Sequence, residues 1–235
     1  MLPARLMYGS TIPGQPLLCS DLLWKPGFKP PDPFFLYTRS DGQNILLIGE
    51  LEYERAKKEV ANCEVRPLKL LAEAIQFLGK EAPEKLIVHP DMPCSMAEKL
   101  RDVGLSLAVG TAPWFPERAV KTRDEIGYIS AVQKKMEGVF SEVLDSIRKA
   151  RISSDGVLVD DKGRIITAES IRKFMDIEFT KKDCFAVAIV IACGDQAVDP
   201  HCLGSGPLLA HTPIVFDIFP RSKDNFWWAD MSRTI

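Results

Sequence analysis

No apolar stretch in this sequence approaches the roughly 20 residues that a membrane-spanning helix requires. The opening "MLPARLMYGSTIPGQPLLCS" is interrupted by prolines where a signal peptide needs an unbroken apolar core. Cys-x-x-Cys pairs are also missing. The six cysteines, Cys19, Cys63, Cys94, Cys184, Cys193 and Cys202, show no zinc-ribbon spacing and read as reduced thiols rather than a disulfide framework. Charge is nearly balanced, 30 Lys and Arg against 32 Asp and Glu, so there is no basic footprint for nucleic acid. There is no internal repeat and no low-complexity tract. These absences imply a cytoplasmic protein whose partners are neither nucleic acid nor membrane. With 235 residues the chain has room for two modest domains.

The first thirty-odd residues, rich in proline and glycine ("IPGQPLL", "KPGFKPPDPF"), are expected to wander over the surface. Regular structure is then predicted. "FFLYTR" and "NILLIGE" read as a hairpin around the turn-forming "SDGQ". "LEYERAKKEV" has the charge density of an exposed helix, and Leu70, Leu71, Ala74, Ile75 and Leu78 recur at helical spacing. "EKLIVHP" reads as a short buried strand, and "SMAEKLRDVG" as a helix stopped by Gly104. This alternation predicts an α/β domain over about Phe34 to Trp114.

Two prolines in "APWFPERAV" close that domain. A long amphipathic helix follows from Thr122, whose "TRDE" is a capping box with Glu125. Its apolar positions Ile126, Ile129, Val132, Met136, Val139, Phe140 and Val143 must cover something flat, which predicts a sheet. A second helix is expected in "TAESIRKFMDIEF" after Thr167, then a buried strand in "FAVAIVIACG" and two more in "TPIVFDIFP" and "NFWWADMSRT".

Those last two strands place an aspartate inside each apolar run. A turn centred on Lys223 and Asp224 predicts Asp217 directly opposite Asp230 and Phe219 opposite Trp228. Facing carboxylates beside Phe216, Ile218, Phe226, Trp227 and Trp228 need neutralising. A shared proton does this at the cost of a raised pKa. A divalent cation does it through hard oxygen ligands, with Mn²⁺ or Mg²⁺, or Zn²⁺ or Co²⁺ where nitrogen is added. An ordinary salt bridge to Arg233 or Arg221 is the third way. A nucleophilic Cys202 beside His201 is a weaker signal, since neighbours along a strand face opposite ways.

The stretch from Val190 to Ile235 resembles the pita-bread metallopeptidases, which include Xaa-Pro aminopeptidases, prolidases, methionine aminopeptidases and creatinases. "VIACGDQAVDPH" is similar to the family's strand, turn and histidine, here His201. "PIVFDIFP" resembles the strand bearing the first metal-binding aspartate, Asp217, and "WADMSRT" the string opening on the second, Asp230. The family has about ten residues between these aspartates and this chain twelve; an even difference is expected to preserve their pairing. "ERAVKTRDEIGYISAV" is similar to the entry of the Xaa-Pro branch's catalytic domain.

The resemblance implies a creatinase-type α/β N-terminal domain over residues 1–116 and the front part of an α+β pita-bread domain over 117–235. It implies two divalent ions (Mn, Co or Zn), with Asp217 ligating one and Asp230 bridging both. His201 would be a catalytic residue on the substrate side. A proline-containing peptide is the implied substrate, hydrolysed at its N-terminal X-Pro bond, and homodimerisation is the implied assembly. His89 and His211 match no landmark and are read as structural or exposed. The family's other three ligands, a histidine and two glutamates, follow the "SRT" string and are absent here. Residues 1–235 are therefore expected to hold metal poorly and to form the front part of a longer enzyme. The alternative is a non-catalytic binding protein, or a truncated remnant, of the same fold.

Overall fold

The computed structural model describes residues 3–82 and 85–235. By internal contacts the chain divides into two compact units, Met1–Ala119 and Val120–Ile235. Among the described residues no helix is long and apolar enough to cross a membrane.

The first unit holds β1 (Arg5–Gly9), α1 (Ser20–Trp24), β2 (Phe34–Thr38), β3 (Asn44–Gly49), α2 (Glu50–Glu59), β4 (Glu64–Leu68), α3 (Leu71–Glu81), β5 (Lys85–Val88), α4 (Cys94–Asp102) and β6 (Ser106–Val109). Its six-stranded sheet runs β4-β3-β2-β1-β5-β6. The predicted hairpin is β2 and β3, antiparallel, with Tyr37 opposite Ile45. The parallel pairs β3–β4, β1–β5 and β5–β6 supply the α/β character expected from the alternation. Ala74, Ile75 and Leu78 of α3 are buried, whereas Leu70 lies before the helix and is exposed. Gly104 ends the α4 segment at φ +89°, a conformation that a side chain disfavours. Glu84, at the head of the expected fifth strand, lies outside the described residues.

The expectation that the N-terminal segment wanders over the surface is overturned. β1 sits inside the sheet, antiparallel to β2 and parallel to β5, and Leu6 and Met7 are buried on its two faces. Prolines flank this segment but none interrupts Arg5–Gly9, so every ladder donor of the strand survives. Proline density reported the loops on either side and masked a five-residue apolar strand between them.

The second unit begins with α5 (Arg123–Lys149), where Thr122 accepts from the Glu125 amide and the Glu125 carboxylate accepts from that of Thr122. This is the predicted capping box. There follow β7 (Arg151–Ile152), β8 (Leu158–Val159), α6 (Ala168–Lys181), β9 (Cys184–Phe185), β10 (Val190–Cys193), β11 (Ile214–Ile218), β12 (Arg221–Ser222) and β13 (Met231–Thr234). β10, β11 and β13 form an antiparallel sheet in that order. Val132, Met136, Val139, Phe140 and Val143 of α5 share one core with Met175 and Phe179 of α6 and with Ile214, Phe216 and Ile218 of β11. The Phe140 and Phe216 rings meet edge to face at 5.3 Å. Ile126 and Ile129, counted with this stripe from the sequence, are not buried, because the helix extends a turn or more beyond what it covers.

The run "FAVAIVIACG" is two short strands, not one. β9 pairs with β12 and β10 with β11 in registers that differ by one residue. The slack is taken up between Ala186 and Ile189, where Ala188 adopts φ +49°, in the manner of a bulge.

Leu6→Ala and Phe216→Ala, each fully buried, are expected to destabilise their units by about 2–5 and 3–5 kcal/mol. The check is a fall in the urea midpoint for each variant.

Candidate metal centre

β11 and β13 set the geometry. Asp217 stands opposite Ser232, Val215 opposite Thr234 and Ile218 opposite Met231. The same register continues toward the turn: the Ala229 amide donates to the Pro220 carbonyl, Arg221 bridges Trp228, and the Ser222 amide donates to the Trp227 carbonyl. Asp230 is therefore opposite Phe219. The predicted direct opposition of Asp217 and Asp230 is corrected by two residues, and with it that of Phe219 and Trp228.

The physical reason lies in the polar stretch assigned to the turn. Arg221 and Ser222 are buried, and β9 pairs with them along their other edge, so they belong to the ladder. The turn moves on to Lys223–Phe226. There Ser222 Oγ accepts from the Asp224 amide, Asn225 Oδ1 accepts from the Trp227 amide, and Phe226 takes φ +62°. An even displacement changes partners but not faces. Ile214, Phe216, Ile218, Pro220, Ala229 and Met231 still point into the core. Asp217, Phe219, Trp228, Asp230 and Ser232 share the other face, with the two aspartates diagonal neighbours about 7–8 Å apart and their Cβ atoms somewhat closer.

Asp230 is exposed and Asp217 half-buried. Ser232 Oγ donates a short hydrogen bond to Asp217 Oδ1, fixing one oxygen and leaving the other open. Among the described residues no Arg, Lys or His forms a salt bridge with either aspartate. Arg233 donates instead to the Ser232 carbonyl and Arg221 to that of Phe226, so the ordinary ion pair open on sequence grounds is not made. The two carboxylates are hard oxygen donors on one face, the donor chemistry that a divalent ion prefers. They do not complete a coordination sphere: among the described residues no group of three or more His, Cys, Asp or Glu is gathered to hold a metal.

His201 is not beside them along the hairpin. It lies past the 3-10 turn Gly194–Val198 that ends β10, exposed, its amide donating to Asp199 Oδ1 at 3.0 Å. Two residues on, the Leu203 carbonyl accepts from the Ile191 amide, which lays this segment along the edge of β10 away from β11. The backbone there is two strand spacings, about 10 Å, from β11. Gly204 (φ +77°) allows that approach, since a Cβ on it would overlap the Ile191 carbonyl oxygen. Cys202 faces Gln196 and sits on no strand. All six cysteines are free. His89 is buried against Asp21, while His211 is exposed.

Sequence reasoning missed Ser232, though the alternation of a strand puts it on the face of Asp230 two residues earlier. It named Arg221 only as a salt-bridge candidate and missed its place in the ladder, because its neighbours in "PRSKDN" read as a turn. An apolar cleft of about 840 Å³ lies elsewhere in this unit, lined by Leu144, Ile147, Ile152, Pro213, Ile214 and Ile235 among others, and by neither aspartate.

These two units, a mixed six-stranded α/β sheet and a helix-backed antiparallel sheet with paired aspartates on its open face, have the fold of the pita-bread peptidases. The chain is similar to prolidase from Pyrococcus furiosus, at 17% identity and TM-score 0.76, over 100% of this chain and 66% of that one. It is also similar to X-Pro aminopeptidase from Thermotoga maritima MSB8, at 16% identity, TM-score 0.74, 100% and 62%. A third likeness is Xaa-Pro dipeptidase from Bacillus anthracis, at 14% identity, TM-score 0.76, 100% and 60%. The chain thus spans about 60–66% of the length of these structures. No family model and no curated protein matches the sequence.

Gly204→Ala combines a left-handed backbone with that overlap, and is expected to cost more than about 1 kcal/mol. Thermal unfolding measures the loss. Amide exchange at Ile191 reports whether the His201 segment detaches from β10.

Proposed function

We propose that these residues are part of a metal-dependent peptidase that hydrolyses the N-terminal X-Pro bond of peptides. The observation that carries this reading is the pair Asp217 and Asp230, on one open sheet face and, among the described residues, in no salt bridge with a cationic side chain. Two carboxylates on one open face offer a divalent ion hard oxygen donors. The likeness of fold to prolidases and X-Pro peptidases supports the cation. In this reading residues 1–116 are a creatinase-type N-terminal domain and 117–235 the front part of the catalytic one. The enzyme is cytoplasmic and dimeric.

Asp217 would hold one ion and Asp230 both, with manganese, cobalt or zinc as the metal. Bound divalent ions supply Lewis-acid chemistry, polarising the scissile carbonyl and activating water. The chain's own residues do the rest: Ser232 orients Asp217 through its hydroxyl, and His201 faces the substrate from the segment held by Gly204. Two carboxylates fall short of the four to six donors each ion needs, so residues 1–235 alone are inactive in this reading.

Two measurements test it. Titrating the 235-residue chain with Mn²⁺ is expected to give weak binding, abolished by Asp217→Asn with Asp230→Asn; two tightly bound equivalents would contradict the shortage of ligands. The complete product of the gene, supplied with Mn²⁺ or Co²⁺, is expected to release the N-terminal residue of X-Pro peptides, with Asp230→Asn lowering kcat at least about a thousandfold. Absence of release from the complete product would overturn the peptidase reading in favour of a binding protein.

A further inference from the structure

The segment 197–205 that carries His201 lies mostly in solvent: Val198, Asp199, Pro200, His201, Leu203 and Ser205 are all exposed. A loop with so little apolar packing opens at low free-energy cost. The His201 amide donates to Asp199 Oδ1 at 3.0 Å, but among the described residues nothing hydrogen-bonds its imidazole. The ring therefore stands wherever the backbone of the loop puts it.

One side chain closes that backbone. Gln196, in the 3-10 turn after β10, accepts from the Ser205 amide with Oε1 at 2.7 Å and donates from Nε2 to the Ser205 carbonyl at 3.1 Å. A backbone N–H only donates and a carbonyl only accepts, so both ends of the Gln196 carboxamide are assigned by their partner. The side chain does for Ser205 what a neighbouring antiparallel strand would do, across nine positions of sequence. The Gln196 carbonyl also accepts from the Asp199 amide at 3.4 Å, and the Cys202 thiol lies 4.0 Å from Oε1. Start, middle and end of the loop thus meet at one residue. The Leu203 carbonyl, by contrast, is held from outside the loop by the Ile191 amide and the Arg172 guanidinium. Those contacts fix where the loop lies, and Gln196 fixes how it closes.

We propose that Gln196 is a positioning residue: by closing this loop it sets where the His201 imidazole stands. This deepens the peptidase reading and rests on it for what His201 does. The closure itself needs neither metal nor substrate.

The closure is tested on the 235-residue chain in excess chelator, by amide exchange and by the His201 ring resonances, assigned with His201→Gln. Gln196→Ala is expected to speed exchange at Ser205 about tenfold and to shift the His201 ring signals, while the amides of β11 keep their protection. Gln196→Glu keeps the acceptor for the Ser205 amide and loses the donor to its carbonyl, so it is expected to fall between; if Gln196→Ala does not fold, this variant carries the comparison. Unchanged exchange at Ser205, unmoved His201 signals, or an equal loss of protection throughout β11 overturns the proposal. In the complete gene product, Gln196→Ala is expected to lower kcat about ten- to a hundredfold with KM nearly unchanged, and to cost nothing more when added to His201→Ala. A loss in KM alone, or two losses that add in full, overturns the positioning role. A complete wild-type product that cleaves no X-Pro peptide is a failure of the peptidase reading, and the exchange and ring signals then still decide whether Gln196 holds His201.

Discussion

The register between β11 and β13 is the constraint on which the second unit depends. Its hydrogen-bonded pairs, from Ile214 with Ile235 to Ser222 with Trp227, turn Phe216, Ile218 and Met231 onto α5 and α6. The intervening pairs turn Asp217, Asp230, Ser232, Arg221 and Trp228 away from the core. A slip of one residue would exchange the sets, turning two carboxylates toward the core while exposing a fully buried phenylalanine. Each buried charge would cost several kcal/mol and the lost burial of Phe216 a further 1.5–3 or so. Core and candidate site are thus two readings of one alternation.

The energetics explain what was legible in the sequence. Wherever a periodic apolar face met a local capping signal, expectation and structure agree: α5 with Thr122 and Glu125, α6 with Thr167, and the hairpin of β2 and β3. These elements are fixed by neighbours a few residues away. The aspartates were legible as residue types and as sharers of a face, since both follow from period two. Their partners were not, because a turn's position depends on which polar residues a distant strand claims. Arg221 and Ser222 look like turn residues until β9 pairs with them across more than thirty positions. The central place of β1 escaped for a related reason: five residues between proline-rich loops carry too little pattern to outweigh their flanks, and the two strands enclosing β1 are distant in sequence.

The turn itself carries the cost of this register. Phe226 holds a left-handed conformation that disfavours any side chain by roughly 1–2 kcal/mol, and a glycine would adopt it freely. The phenylalanine brings its ring to the Arg221 guanidinium and its carbonyl to Nε. Ser222 and Asn225 close the same turn from their side chains. Local strain, side-chain capping and a buried cation therefore meet in four residues, and together they specify where the chain reverses.

Compared with the spacing of the family it resembles, about ten residues between the aspartates against twelve here, the hairpin is longer by an even number. An odd insertion taken up within one arm of the ladder would rotate Asp230 toward the helices, whereas one absorbed in the turn would leave both faces as they are. Each step of two residues, taken up in the ladder, adds one cross-strand pair. In this chain the extended arm brings Arg221 and Trp228 onto the open face beyond the aspartates. A change of two residues taken up in the ladder thus leaves both aspartates on the face they already occupy.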